Sequence, residues 1–303
     1  MREGGVVGEL LRWACVALFL GRAWQHLRWD APYRALLWSQ ETMEGVIAVV
    51  VGMSWETYAT SPEVAAAIAT GVQVIGLFFV LCAVAAGCCS PTRRWTHFVL
   101  AAGALALTFL AYVTYRDRLY RIGEFAEYAC QFTLPLLLVL WTRGAVSGAL
   151  LGNLLRVAIA CTFVGHGLYA VGLYPTPGDW VTMTMGLTGL GDAAAMTFLR
   201  IAGVLDFVVA AALFVGPVAR SAALYAAVWG LLTAVARVAA FVRWDSFADT
   251  ASQWVFETLV RLPHAALPLA LFWLLRARAA SAEPFPQVRT PSPSEFPQPK
   301  PIT

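Results

Sequence analysis

The 303-residue chain is 59% hydrophobic and 13% charged, with a net charge of +3 and a mean hydropathy of +0.68. Soluble domains carry about 25% charged residues, so this chain has half the charge that a water-facing surface needs. That excludes a soluble globular enzyme, a disordered chain and a nucleic-acid binder built on phosphate contacts. It leaves an all-α, polytopic membrane protein whose first partner is the lipid bilayer.

A spanning helix takes about 20 mainly apolar residues, which predicts eight: 10–29, 71–90, 95–115, 123–142, 152–173, 197–216, 222–243 and 252–275. Arg12, Arg22 and His26 interrupt the first. With Arg2 ahead of an apolar run it has the outline of a signal peptide, but Gly21-Arg22-Ala23-Trp24 is a poor cleavage site, so the helix is expected to be retained. In the loop 30–70, the apolar run Val46–Val51 is too short to span and is expected to lie in the interface or cap the bundle. The matching loop 174–195 is shorter and rich in Gly and Thr. The tail 281–303 holds seven prolines, a composition of extended, disordered chain.

Charge sets the orientation. Arg2, Arg93, Arg94, Arg143, Arg220, Arg276 and Arg278 fall on one side, with Glu3 and Glu9 as nearby acids. Asp30, Glu41, Glu44, Glu56, Glu63, Asp117, Asp179, Asp192, Asp245 and Asp249 fall on the other. Both termini are therefore expected in the cytoplasm, in the inner membrane of a bacterium. Trp13, Trp95, Trp141 and Trp273 fit the inner interface, and Trp24, Trp29, Trp180, Trp244 and Trp254 the outer one. Of 21 basic residues, Lys300 is the one lysine; for arginines inside the hydrocarbon this matters, because Arg holds its charge and forks its hydrogen bonds. The six cysteines (Cys15, Cys82, Cys88, Cys89, Cys130, Cys161) have neither zinc spacing nor a disulfide pattern and read as small hydrophobes, with Cys88–Cys89 at a helix end.

The chain also resembles itself. Leu11-Arg12-Trp13-Ala14 aligns with Leu155-Arg156-Val157-Ala158, and Gly21 with Gly165, at an offset of 144. Gln73–Gly76 aligns with Arg200–Gly203 at 127, Pro91 and Arg94 with Pro217 and Arg220 at 126, and Glu124, Gln131 and Leu134–Leu136 with Glu257, His264 and Leu267–Leu269 at 133. This predicts two four-helix bundles, 1–146 and 147–280, with an insertion at 30–70 in the first. An even helix number gives both units the same topology, related by an axis along the membrane normal.

Ionisable groups at membrane depth are expensive and mark sites. Glu257, Arg261, His264 and Pro268 share one helix face; His166, Asp206 and Arg237 come from other helices of the second unit, and Asp206 is expected to pair with Arg237. The first unit offers Arg22, His26, Glu124, Glu127 and Gln131, with Phe79 where Asp206 would stand. Pro135 and Pro268 are expected to kink their helices. Three readings stay open: a structural Arg–carboxylate network, a solute or proton pathway, and a membrane enzyme or redox subunit. No cofactor or metal site is predicted, since no motif such as His-Glu-x-x-His is present and Arg261 stands between the candidate ligands; a metal or quinone is left open, as are other membrane subunits.

Leu155-Arg156 with Gly165-His166-Gly167, then Gly203-Val204-Leu205-Asp206 and Pro217, resembles the DoxX-like membrane family over 152–276, with 10–142 as a fainter copy. The resemblance implies a four-helix unit, in some members a subunit of quinone-linked sulfur oxidoreductases. The chain departs in having Asp206 where that family usually has Glu, and two units in place of one. Thr233-Ala234-x-x-Arg237 and Glu257-x-x-x-Arg261 are similar to a large uncharacterised bacterial membrane family.

Overall fold

The computed structural model describes residues 3–282, and side chains from Gly5 to Ala279. Arg2, the side chain of Glu3, Lys300 and the proline-rich tail from 283 onward lie outside the described residues. Helix α1 (Glu3–Arg28) leads into a broken segment of α2 (Arg34–Leu37), α3 (Gln40–Val46), a π-helical turn (Ile47–Val51) and α4 (Trp55–Thr60). Then follow α5 (Pro62–Gly87), α6 (Arg94–Asp117), α7 (Ile122–Glu127), α8 (Ala129–Thr142) and α9 (Gly148–Ala170). The last part is α10 (Gly178–Thr188), α11 (Asp192–Ala212), α12 (Gly216–Phe241), α13 (Phe247–Arg261) and α14 (Pro263–Ala282). No strand occurs among the described residues.

Seven helical spans in the described residues are long and apolar enough to cross a membrane: α5, α6, α7–α8, α9, α11, α12 and α13–α14. The chain is thus a multi-pass membrane protein. At 26 residues α1 is as long as α5 and α12, but its polar residues dilute its apolar run and it falls outside the seven. Starts are set by capping chemistry. Ser61 accepts from the Val64 N–H with Pro62 at the first helical position, where its missing N–H costs nothing, so α5 begins well before residue 71. Ser147 caps α9 likewise through Leu150.

Helix α1 packs on α5, α8, α13 and α14, and α9 packs on α11, α14, α7 and α8. Helix α6 runs along α7 and α8, and α12 along α13 and α14. One continuous core joins them, through Leu11, Leu18, Phe19, Phe79, Leu134, Leu155 and Leu271. Several close crossings are made at glycines. A Cβ on Gly21 would lie 2.8 Å from Leu259 Cβ and 3.1 Å from the Phe256 carbonyl, and one on Gly165 would lie 2.8 Å from the Gly123 carbonyl and the Glu127 N. Gly76 sits the same way against His26 and Leu27, and Gly203 against Ala170 and Val171. Small residues at such crossings let backbones meet, which lipid-embedded helices rely on. Beyond them, Trp24 of α1 and Trp29 just past its end both donate to the Ser252 carbonyl of α13, at 3.0 Å.

Two spans are interrupted inside the bundle, at Tyr128 between α7 and α8 and at Leu262 between α13 and α14. Thr162 of α9 repairs the first break: its hydroxyl accepts from the Cys130 N–H at 3.1 Å and donates to the Glu127 carbonyl at 3.4 Å. Pro135 and Pro268 both lie inside helices that continue past them. Pro268 still removes the helical donor to the His264 carbonyl, and Gly230 of α12 is pressed against that carbonyl.

The Val46–Val51 run is helical, closing on Gly52 at φ 71°. Ile47 is buried, while Val49 and Val50 are 85% and 76% exposed. The loop 174–195 forms α10, which lies on α11 and α12. All six cysteines are free, and Cys15, Cys82, Cys89 and Cys130 are buried.

If the α7–α9 crossing is this close, Gly165→Ala costs about 1–3 kcal/mol by overpacking, whereas Gly186→Ala, where a Cβ meets open space, costs nothing. Thermal unfolding followed by tryptophan fluorescence separates the two; equal midpoints would contradict backbone contact there.

Candidate functional site

Helix α13 carries Glu257 and Arg261 one turn apart, the spacing at which side chains on a helix meet. The Arg261 guanidinium donates to the Glu257 carboxylate and, at 3.1 Å, to the Glu257 carbonyl. Arg237 of α12 brings its Nε to 3.7 Å from the same carboxylate oxygen and donates to the Thr233 carbonyl at 3.2 Å. One carboxylate thus answers two guanidiniums. The pairing of Asp206 with Arg237 needs correction: the two line one cavity, but α12 packs along α13, and the partner within reach of Arg237 is Glu257.

His166 of α9 places its Nε2 3.7 Å from Glu127 of α7. Its ring is 5.3 Å from that of His264 and 5.8 Å from Trp180, both edge-on. The sequence assigns Glu127 to the first unit; in space it joins His166, because α9 crosses α7. Glu124 stands one turn away, beside Tyr169.

Arg22, His26 and Gln131 form a second cluster around α1. Arg22 donates to Gln131 at 2.5 Å and to Gln25 at 2.7 Å, and its guanidinium lies 4.9 Å from the Tyr128 ring centre. Among the described residues no carboxylate is within ion-pair distance of Arg22. An amide, a second amide and an aromatic face take the place of a counter-ion. His26 is held between the Arg22 carbonyl (2.7 Å) and the Tyr33 hydroxyl (3.1 Å), with Phe79 5.0 Å away. Burial pushes the Tyr33 phenol up to about 12, so it is held as a neutral hydroxyl.

The first cluster opens on a cavity of about 70 Å³, walled by His166, Asp206, Arg237 and Arg261 with the indoles of Trp180 and Trp229. A water occupies about 30 Å³ of liquid, so the space suits a few waters, a small ion or one polar group. Three buried atoms near it have no hydrogen-bond partner: Asp206 Oδ1, His264 Nε2 and Glu127 Oε1. An unmet buried polar atom costs about 1–3 kcal/mol. Asp206 is 4% exposed and faces Trp229. Among the described residues no group of three or more His, Cys, Asp or Glu is placed to hold a metal ion.

Sequence reasoning missed the walls of this site. Trp180 reads as an interfacial anchor yet lies against His166; Trp229 sits in an apolar run, and its one signal is the four-residue spacing from Thr233, which the Thr233-Ala234-x-x-Arg237 element does single out. Thr162 carries no sequence signal as the splice for a broken helix. No family model matches the chain, and no curated protein or solved structure does.

Breaking the Glu257–Arg237 pair leaves the buried Arg237 uncompensated, at a cost approaching that of a fully buried pair, about 3–5 kcal/mol, since Glu257 itself is 26% exposed. Glu257→Gln, which strands Arg237 and Arg261, should therefore lower stability by that order. Asp206→Asn removes a carboxylate that pairs with no cation and should cost under about 1 kcal/mol. Equal losses in denaturant titrations of the two variants would contradict the assignment of Glu257 as the shared counter-ion.

Proposed function

We propose that the chain is an inner-membrane protein of eight spans, α1 being the eighth, built from two DoxX-like four-helix units at 1–146 and 147–280. Four of the glycine crossings support the duplication. Gly21 and Gly165 are related by 144 residues, and their contacts Phe256 and Gly123 by 133; Gly76 and Gly203 are related by 127, and their contacts His26 and Ala170 by 144. In each case the offset is the one that the sequence comparison gives. The Arg22–Gln131 bond and the His166–His264 contact obey the same pair of offsets.

The function that we infer is the handling of a small solute or ion at the cavity of the second unit. The observation that carries it is Asp206, a buried carboxylate on the wall of this cavity, one of whose oxygens has no partner. A group that merely fixed helix register would be expected to be fully paired. A structural or accessory role in a larger membrane complex draws on a different observation: Glu257 already answers both Arg237 and Arg261, so that part of the network needs no ligand. No observation carries a catalytic step.

The test is dissipation of imposed pH and cation gradients by the full chain in liposomes containing a pH-sensitive dye. The expected result is a protein-dependent flux that falls at least tenfold in Asp206→Asn while the variant keeps its unfolding midpoint. A flux equal to that of empty liposomes, or one that Asp206→Asn leaves intact, would reject the solute-handling reading and favour the accessory one.

Topology is checked separately. Single cysteines on a cysteine-free background should react with an impermeant maleimide from outside at 176–190 and from the cytoplasm at 92–94. The reverse pattern would invert the orientation and turn the cavity toward the cytoplasm.

A further inference from the structure

The 70 Å³ cavity shares part of its wall with a larger neighbour. Met183, Leu199, Trp229 and Thr233 line it and also line a second space of about 330 Å³ between α10, α11 and α12. Apart from Thr184 and Thr188, the further walls of that second space are apolar, among them Leu187, Phe198, Leu232 and Val235, each at least 40% exposed on the helix flank. The two compartments differ in both chemistry and size. Ligand pockets run from about 300 to 1,000 Å³, so the apolar one can hold a chain or ring, while the polar one holds only a head. The head it can hold is constrained by Asp206, whose free Oδ1 is an acceptor.

We infer that this pair of compartments binds an amphiphile that enters sideways from the bilayer, its apolar part between α11 and α12 under α10 and its hydrogen-bond-donating head, an ammonium or a hydroxyl, on Asp206. The inference rests on the reading of the cavity as a binding site and names the ligand class. Burying an apolar tail along the groove is favourable only relative to water and gains nothing relative to lipid. Selectivity therefore has to come from the head, through an acceptor that is otherwise left unmet. The first unit has Phe79 at the position of Asp206, buried against Phe19 and His26, and so offers no equivalent acceptor.

The test uses the full chain in nanodiscs of phosphatidylcholine, whose headgroup has no N–H or O–H to donate. Dodecylamine, 1-dodecanol and dodecyltrimethylammonium are titrated while the unfolding midpoint is followed. A saturable rise with the amine or with the alcohol, and none with the trimethylammonium, is the expected result, and the responding probe distinguishes an ammonium from a hydroxyl head. Asp206→Leu should weaken that response at least tenfold. Ala236→Trp, on the groove wall away from the charges, should do the same without touching the ion cluster, which guards against a folding defect in the first variant. Equal responses to all three probes, no response to any, or a response that survives both variants would overturn the inference. Gradient dissipation that depends on Asp206 without donor-selective binding would overturn the amphiphile alone, and donor-selective binding without dissipation would overturn the ion reading alone.

Discussion

The organisation of this protein follows from the cost of an unpaired charge where water is scarce. In hydrocarbon an arginine has to be met by the protein itself, and the chain meets Arg22, Arg237 and the partly exposed Arg261 in different ways. Glu257 takes Arg261 of its own helix and Arg237 of the neighbouring α12. Arg22 is met by Gln131, Gln25 and the face of Tyr128. Each solution needs several helices to converge at one depth, and the glycines at positions 21, 76, 165 and 203 let them converge by removing the side chain from the crossing. The polar layer and the glycine crossings are thus one constraint seen twice.

The same depth holds the two interrupted spans. A broken helix exposes backbone donors and acceptors that lipid cannot satisfy, so a break survives only where neighbours answer it. Thr162 answers the break at Tyr128. At Leu262 the chain resumes with Pro263, which has no N–H to satisfy at the first helical position. Irregular backbone next to ionisable side chains is the arrangement that membrane proteins use where a polar species has to be accommodated at depth.

How much of this is legible in the sequence depends on whether a residue's role is local. Apolar runs place the long helices, and self-comparison picks out Gly21, Gly165, Gly76 and Gly203, because close packing admits few residue types. Charges in apolar runs pick out His166, Asp206, Arg237, Glu257, Arg261 and His264. Partnership is not legible. Asp206 and Arg237 share a depth, but depth leaves rotation about each helix axis free, and α12 turns Arg237 to Glu257. Glu127 looks like a member of the first unit because it belongs there in sequence; the crossing of α9 on α7 gives it to His166. Start positions fail for a similar reason at α5, where the Ser61–Pro62 cap extends the helix beyond its most apolar stretch.

The crossing of α1 on α13 also sets the order in which the molecule can be completed. Trp24 and Trp29 meet Ser252 across 228 and 223 residues of chain, and Gly21 meets Phe256 over a similar span. At roughly 5–20 residues per second of synthesis, α1 exists for about 10–50 s before the surface that covers it has been made. During that interval the bare glycine face of α1 stands without its last neighbour. The first helix is therefore the last to be enclosed by the rest of the chain, waiting for a partner made more than 200 residues later.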